Sequence, residues 1–231
     1  MPIFIASPIQ RCGTTLLQRL LSSAPNTLIF GETVANDIHL LASLFQNKQL
    51  MLNGPHNAWR EQQLQAVLEG EVNDWIPDLL PHTPKYMTNF KGLLENYCDF
   101  YQEYVQQQGR TQWGCKMPAW PIMQLGFLLQ LLPDAKVIYI DRPLEECVIS
   151  SRTINMCLDE VSTQQFRQFY TFNQGNAKRQ LPAERTLWID YHQLSHHPED
   201  IIAQVEEFSG AKPIDRKVME HKVGNYRSST A

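Results

Sequence analysis

The first apolar run of the chain, Ile3 to Ala6, is short and does not alternate with polar residues, the pattern of a strand buried on both faces. From Thr14 to Ser23 the pattern changes: Leu16-Leu17 and Leu20-Leu21 recur at helical spacing, and Ala24-Pro25-Asn26 ends the helix. Thr27 to Phe30 predicts a second strand, from whose end Gly31-Glu32 emerges. Were these two strands parallel neighbours, Glu32 and the turn at Arg11 would open on one sheet edge, where ligands bind in open α/β sheets. Helical spacing then dominates residues 33–110, in Ile38, Leu40-Leu41 and Leu44-Phe45, in Leu64, Val67 and Leu68, and from Leu93 to Gln107. Asn53-Gly54-Pro55 and the proline-rich stretch Pro77 to Pro84 interrupt it. In the last of these helices Tyr97, Phe100, Tyr101 and Tyr104 form a stripe that reads as core packing.

Strand patterns return at Gln112 to Pro118, with Lys116 at the strand's exit, at Lys136 to Ile140, and at Arg185 to Ile189. Helical patterns separate them: Ile122 to Leu132, a helix opening at Pro143 with Glu145 and Glu146 in its first turn, residues 161–180, and Pro198 to Phe208. Strands alternating with helices predict a three-layer α/β fold, a mainly parallel, doubly wound sheet in one domain, residues 1–231. Residues 33–110 are expected to be a mainly helical insertion on it.

Composition narrows the function without choosing it. With 43% hydrophobic and 19% charged residues the chain is an ordinary globule, and a net charge of −4 argues against nucleic acid as a partner. No apolar run is long enough to span a bilayer, and the first residues carry no leader pattern. The cysteines Cys12, Cys98, Cys115, Cys147 and Cys157 show no CxxC pair, so the expectation is a cytoplasmic protein with reduced thiols, no membrane partner and no metal.

The candidate chemistry lies in the turn Arg11-Cys12-Gly13-Thr14-Thr15 between the first strand and the first helix. Strand, glycine-containing turn and helix aim backbone N–H groups and the positive helix end at an anion. A triphosphate P-loop fits poorly: with Gly13 as its second glycine, Pro8 stands at the first and Thr14 stands where the phosphate lysine belongs. Asp141, at a strand end, matches the Walker-B position only superficially. Cys12 reads as a small residue fitting a tight turn rather than as a reactive thiolate.

Gln10 to Leu16 resembles the 5′-phosphosulfate loop of the PAPS-dependent sulfotransferases, [R/K]-S-G-T-T and a large apolar residue, with Cys12 in place of the serine. In that family a strand-end arginine and a serine eight positions later hold the 3′-phosphate, and Arg142 and Ser150 match that spacing. Pro133-Asp134-Ala135-Lys136 is similar to the family's lead into that strand. Tyr191 to Leu194 with Pro198 and Phe208-Ser209-Gly210 is similar to a later segment whose tyrosine lies near the nucleotide. The tail, Lys222-Val223-Gly224-Asn225-Tyr226-Arg227, is similar to a C-terminal segment of bacterial members, where Lys222 and Arg227 would close over the 3′-phosphate; a solvated basic end is the competing reading.

The resemblance, closest in style to bacterial and protein-tyrosine-type members, implies a P-loop NTPase-like fold and PAPS as donor. It implies donor binding by Arg11, Cys12, Gly13, Thr14, Thr15, Arg142, Ser150, Tyr191, Lys222 and Arg227. It implies catalysis by Arg11 and Lys116 at the transferring group and by Glu32, in Gly31-Glu32, as the base. His39, His56 and His82 are the weaker candidates for that base. The acceptor is expected to be a small molecule or a peptide, bound by residues 33–110, with Trp59, Trp75, Tyr86 and Phe90 either lining its pocket or forming the insertion's own core. Two other readings stand: a P-loop kinase using ATP and Mg²⁺, and a nucleotide- or anion-binding protein without transfer activity. For Arg142 the alternative is an ion pair with Glu145 or Glu146; for Lys116, an exposed loop lysine.

Overall fold

The structure, a computed structural model, describes residues 2–54, 56–71 and 79–221. Its sheet holds five parallel strands: β1 (Ile3–Ser7), β2 (Thr27–Phe30), β3 (Gln112–Pro118), β4 (Lys136–Asp141) and β5 (Thr186–Asp190). Their order is β2-β3-β1-β4-β5, so the first strand in sequence is the central one in space. All five β1 residues are buried, which is why that segment carries apolar residues on both faces.

Nine α-helices accompany the strands among the described residues: α1 (Thr14–Ser23), α2 (Glu32–Leu52), α3 (Asn57–Leu68), α4 (Thr83–Gln107), α5 (Ile122–Leu131), α6 (Leu144–Arg152), α7 (Glu160–Gln180), α8 (Tyr191–His196) and α9 (Pro198–Ser209). Successive strand residues face opposite sides. Ile3, Ile5, Ile138, Ile140 and Ile189 pack with leucines of α1 and with Ile201, Ile202 and Val205 of α9. Phe4, Ala6, Trp113, Val137 and Tyr139 pack with α2, α4 and α5. The fold is therefore α/β in three layers, with a parallel, doubly wound sheet. No described helix is long and apolar enough to cross a membrane.

The structure differs from the sequence reading at several boundaries. The strands β1 and β2 are parallel but not adjacent, because β3 lies between them. Lys116 sits inside β3, in register with Ile5 and two residues short of the strand's end, rather than at its exit. Helix α4 begins at Thr83 instead of Leu93, because Pro84 occupies its first turn, where a missing N–H costs no hydrogen bond. Pro143 precedes α6 rather than opening it, and Glu145 and Glu146 lie in the first turn as expected. Helices α2 and α4 also cover one face of the sheet, so they belong to the main core as much as to an insertion. Only part of the aromatic stripe is core: Tyr101 stacks on Trp113, whereas Phe100 and Tyr104 are exposed.

Between β1 and β3 the fit leaves no room for a side chain at Gly114. A Cβ there would lie 2.0 Å from the Ile3 carbonyl oxygen and 2.8 Å from Ile29 Cδ1. Gly114→Ala is expected to cost about 3 kcal/mol, the upper range for overpacking. Thermal denaturation should show it as a fall of roughly 6–12 °C in Tm.

Candidate active site

The site forms where the turns after β1 and β4 and the start of α8 meet, at the C-terminal edge of the central strands. Two residues of the β1–α1 turn have positive φ, Arg11 at 73° and Gly13 at 105°. The backbone thereby curls so that the first-turn amides of α1, which lack intrahelical acceptors, line a concave anion cradle. Gly13 is needed for space as well as conformation, since a Cβ would lie 2.7 Å from Tyr191 Cδ2. Thr14 is buried and Thr15 half-buried at the start of α1.

Cys12 does not face the cradle with its side chain. Its thiol is buried, 3.6 Å from the Cys147 thiol of α6, and burial pushes its pKa well up. The packing reading of Cys12 therefore holds, and only its backbone is offered to an anion.

Arg11 crosses to α6, where its Nε donates to Ser150 Oγ at 3.0 Å. The turn after β1 and the arginine and serine that the family resemblance singled out thus form one cluster. Arg142 completes it: its Nη1 lies 3.3 Å from the Arg11 carbonyl oxygen, and its guanidinium stacks 4.4 Å from the centre of the Tyr191 ring. The ion pair considered as an alternative for Arg142 is also present, with Nε donating to Glu146 Oε2 at 2.9 Å. The other Glu146 oxygen pairs with His192 Nε2 at 2.8 Å. The bond from Arg142, opposed by desolvation and assisted by His192, holds the Glu146 carboxyl below its ordinary pKa. Glu145 pairs instead with Arg167.

A second charged pair sits on the other side of β1. Lys116 Nζ donates to Glu32 Oε1, joining β3 to the first residue of α2. The lysine side chain is only 10% exposed and the carboxylate 57%, so a nearly buried cation presents an open carboxylate. Glu32 is thus exposed at the start of α2. His39, two turns further along α2, is half-buried, and burial lowers its pKa. His56 and His82 precede α3 and α4, with His82 against Glu61. No residue of α3 is buried, and Trp59 is exposed, so it is not the core of an insertion. Tyr86 and Phe90 pack edge to face on α4. Trp75, Lys222 and Arg227 lie outside the described residues.

Sequence reading missed the scaffold that α7 provides. Asn173, buried, donates to the carbonyls of Pro8 (3.0 Å) and Trp120 (3.3 Å) and accepts from the Ile122 amide (3.2 Å). It ties the turn after β1 to the segment after β3. On the same face, Tyr170 OH and Gln174 Nε2 donate to the two oxygens of Asp141, whose Oδ1 also accepts from the Arg142 amide. The signal was available: Phe166, Tyr170, Asn173 and Ala177 follow helical spacing, so polar members of an inward stripe imply buried hydrogen bonds.

A family model described as the sulfotransferase family matches residues 2–215. A sulfotransferase domain from the curacin biosynthetic pathway superposes with a TM-score of 0.58 at 19% identity, covering 94% of this chain and 77% of that one. The sulfotransferase domain of the Synechococcus PCC 7002 olefin synthase gives 0.53 at 18%, covering 96% and 83%. A sulfotransferase from Mycobacterium tuberculosis H37Rv gives 0.52 at 16%, covering 95% and 70%. At these identities the superpositions show the shared fold. Comparison with curated proteins gave no match.

Burial raises the Asp141 pKa, against the hydrogen bonds from Tyr170 and the Arg142 amide. The folded state therefore holds this proton more tightly than the unfolded chain. Its contribution to stability is fully present below the unfolded pKa and is lost as pH rises through the folded one. Asp141→Asn removes the charge, and the buried Gln174 Oε1, which has no partner among the described residues, can accept from the new amide after a flip. The Tm of Asp141→Asn relative to wild type is expected to rise between pH 4.5 and 7.5, as measured by scanning calorimetry.

Proposed function

This chain belongs to the sulfotransferase family, and from that premise we propose that it moves a sulfuryl group from PAPS to a hydroxyl or amine of a small-molecule or peptide acceptor. The observation that carries the proposal is the convergence of Arg11, Ser150 and Arg142 beside the α1 amides. A 3′,5′-bisphosphate nucleotide needs two anion sites. The cradle of Gly13, Thr14 and Thr15 suits the 5′-phosphosulfate, and Arg142 with Ser150 suits the 3′-phosphate. Tyr191 would flank the nucleotide, with Lys222 and Arg227 closing over it from the C-terminal tail.

Transfer is read as an in-line displacement, by analogy with phosphoryl transfer. A bond forms from the acceptor oxygen or nitrogen to sulfur, while the bond from sulfur to the bridging oxygen of the 5′-phosphate breaks. Glu32 takes the acceptor proton. Arg11 and Lys116 stabilise the charge that builds on the sulfonate and on the departing phosphate oxygen. The Lys116–Glu32 pair suits these paired duties, because the lysine holds the carboxylate in place while that carboxylate stays open to the acceptor side. Residues 33–110, which supply Glu32's neighbours on α2, form the acceptor side. Catalysis needs no metal in this scheme, and the setting is the cytoplasm.

The kinase alternative is disfavoured by Thr14, which offers no cation to bridge terminal phosphates. Two measurements test the proposal. Adenosine 3′,5′-bisphosphate should raise the melting temperature and ATP–Mg²⁺ should not; the reverse pattern would overturn the choice of donor. Once an acceptor is in hand, Glu32→Gln should lose at least about a hundredfold in turnover, the lower range for a general base. Its affinity for adenosine 3′,5′-bisphosphate should match wild type, and wild-type-like turnover would remove Glu32 from the mechanism.

A further inference from the structure

The proposed chemistry leaves one contact of Arg142 unused. Its Nε is bound by Glu146, and the same carboxylate is held on its other oxygen by His192. The guanidinium face is covered by the Tyr191 ring. Nη1 makes only the long contact to the Arg11 carbonyl, and among the described residues Nη2 has no partner. One edge and one face of the arginine are thus fixed, while the end carrying both Nη groups remains available.

We infer that Glu146, braced by His192, is a positioning residue that aims the Nη end of Arg142 at the 3′-phosphate of the donor. The inference rests on the proposed donor. A guanidinium binds phosphate best through two parallel N–H bonds, which demands one orientation of a long, many-rotamer side chain. Fixing that orientation before binding removes an ordering cost from the association. Glu146 lies in the first turn of α6, four residues after Arg142, so the short turn from β4 into α6 sets the distance between them. His192 directly follows Tyr191 on α8, so one short helix supplies both the stacking ring and the brace. That helix is anchored in turn by the Asp190 side chain, which accepts from the Gln193 amide at 2.9 Å. The carboxylate does not stand against the incoming phosphate as an unmet charge, because it is shared between Arg142 and His192.

Isothermal titration of the full chain with adenosine 3′,5′-bisphosphate and with AMP, which lacks the 3′-phosphate, separates this role from its competitors. Glu146→Ala is expected to weaken the bisphosphate about tenfold while changing AMP less than about twofold, as loss of preorganisation at one subsite requires. Glu146→Gln keeps an oxygen that accepts from Nε and should recover most of that loss. His192→Ala leaves the Arg142–Glu146 pair in place and should give a smaller loss, again confined to the bisphosphate; it carries the test if Glu146→Ala does not fold. Bisphosphate binding at or above wild-type strength in Glu146→Ala would overturn the inference, and so would an equal loss for both nucleotides. A wild-type chain that fails to bind the bisphosphate overturns the donor proposal and this inference with it. Normal wild-type binding with indifferent variants overturns the inference alone.

Discussion

The ring of Tyr191 is the contact on which the proposed donor site depends. One edge lies against Gly13, close enough to exclude any side chain there, and Arg142 stacks on its face. The turn after β1, the turn after β4 and the start of α8 are separate in sequence, and this ring is their common neighbour. A stacked arginine–aromatic pair contributes roughly 0.5–2 kcal/mol, depending on how dry it is. Its larger effect is geometric, because rigid neighbours on both sides of the ring leave the two anion subsites a fixed separation.

Electrostatics divides the site into two halves across β1. On one side Arg11, Arg142, Glu146 and His192 form a connected, partly exposed polar chain. On the other, Lys116 is nearly buried in β3 and, among the described residues, pairs with Glu32 alone. A buried ammonium without a counter-charge is strongly disfavoured, so the sheet itself constrains where that carboxylate sits. Removing the glutamate's charge therefore affects the neighbouring cation as well as any proton acceptor.

Much of the fold was legible because its determinants are local. The bounds of α1 and β2 followed from leucine spacing and from the Ala24-Pro25-Asn26 break, and both stand in the structure as read. Arg142 and Ser150 were picked out by the family resemblance, and in the structure both contact Arg11. What stayed hidden was set by tertiary contacts. Lys116 sits mid-strand because Glu32 neutralises it across the gap to α2, and Cys12 points inward because Cys147 leaves a thiol-sized place for it. Asn173 looks like one polar residue among many on α7 until its three partners are seen together. The start of α4 was hidden by Pro84, which read as part of a loop and instead occupies the helix's first turn.

The central position of β1 has a consequence for how the chain is made. Ile3 is in register with Gly114 on one side and Lys136 on the other, so both flanking strands leave the ribosome more than a hundred residues after it. During that interval both edges of an apolar strand lack their native partners. Long-range parallel pairing of this kind is slow and leaves nascent surface exposed to aggregation. The segment that carries the anion cradle is thus synthesised well before its sheet neighbours and, since Tyr191 must also arrive, takes its final shape late, which leaves it exposed to chaperone capture.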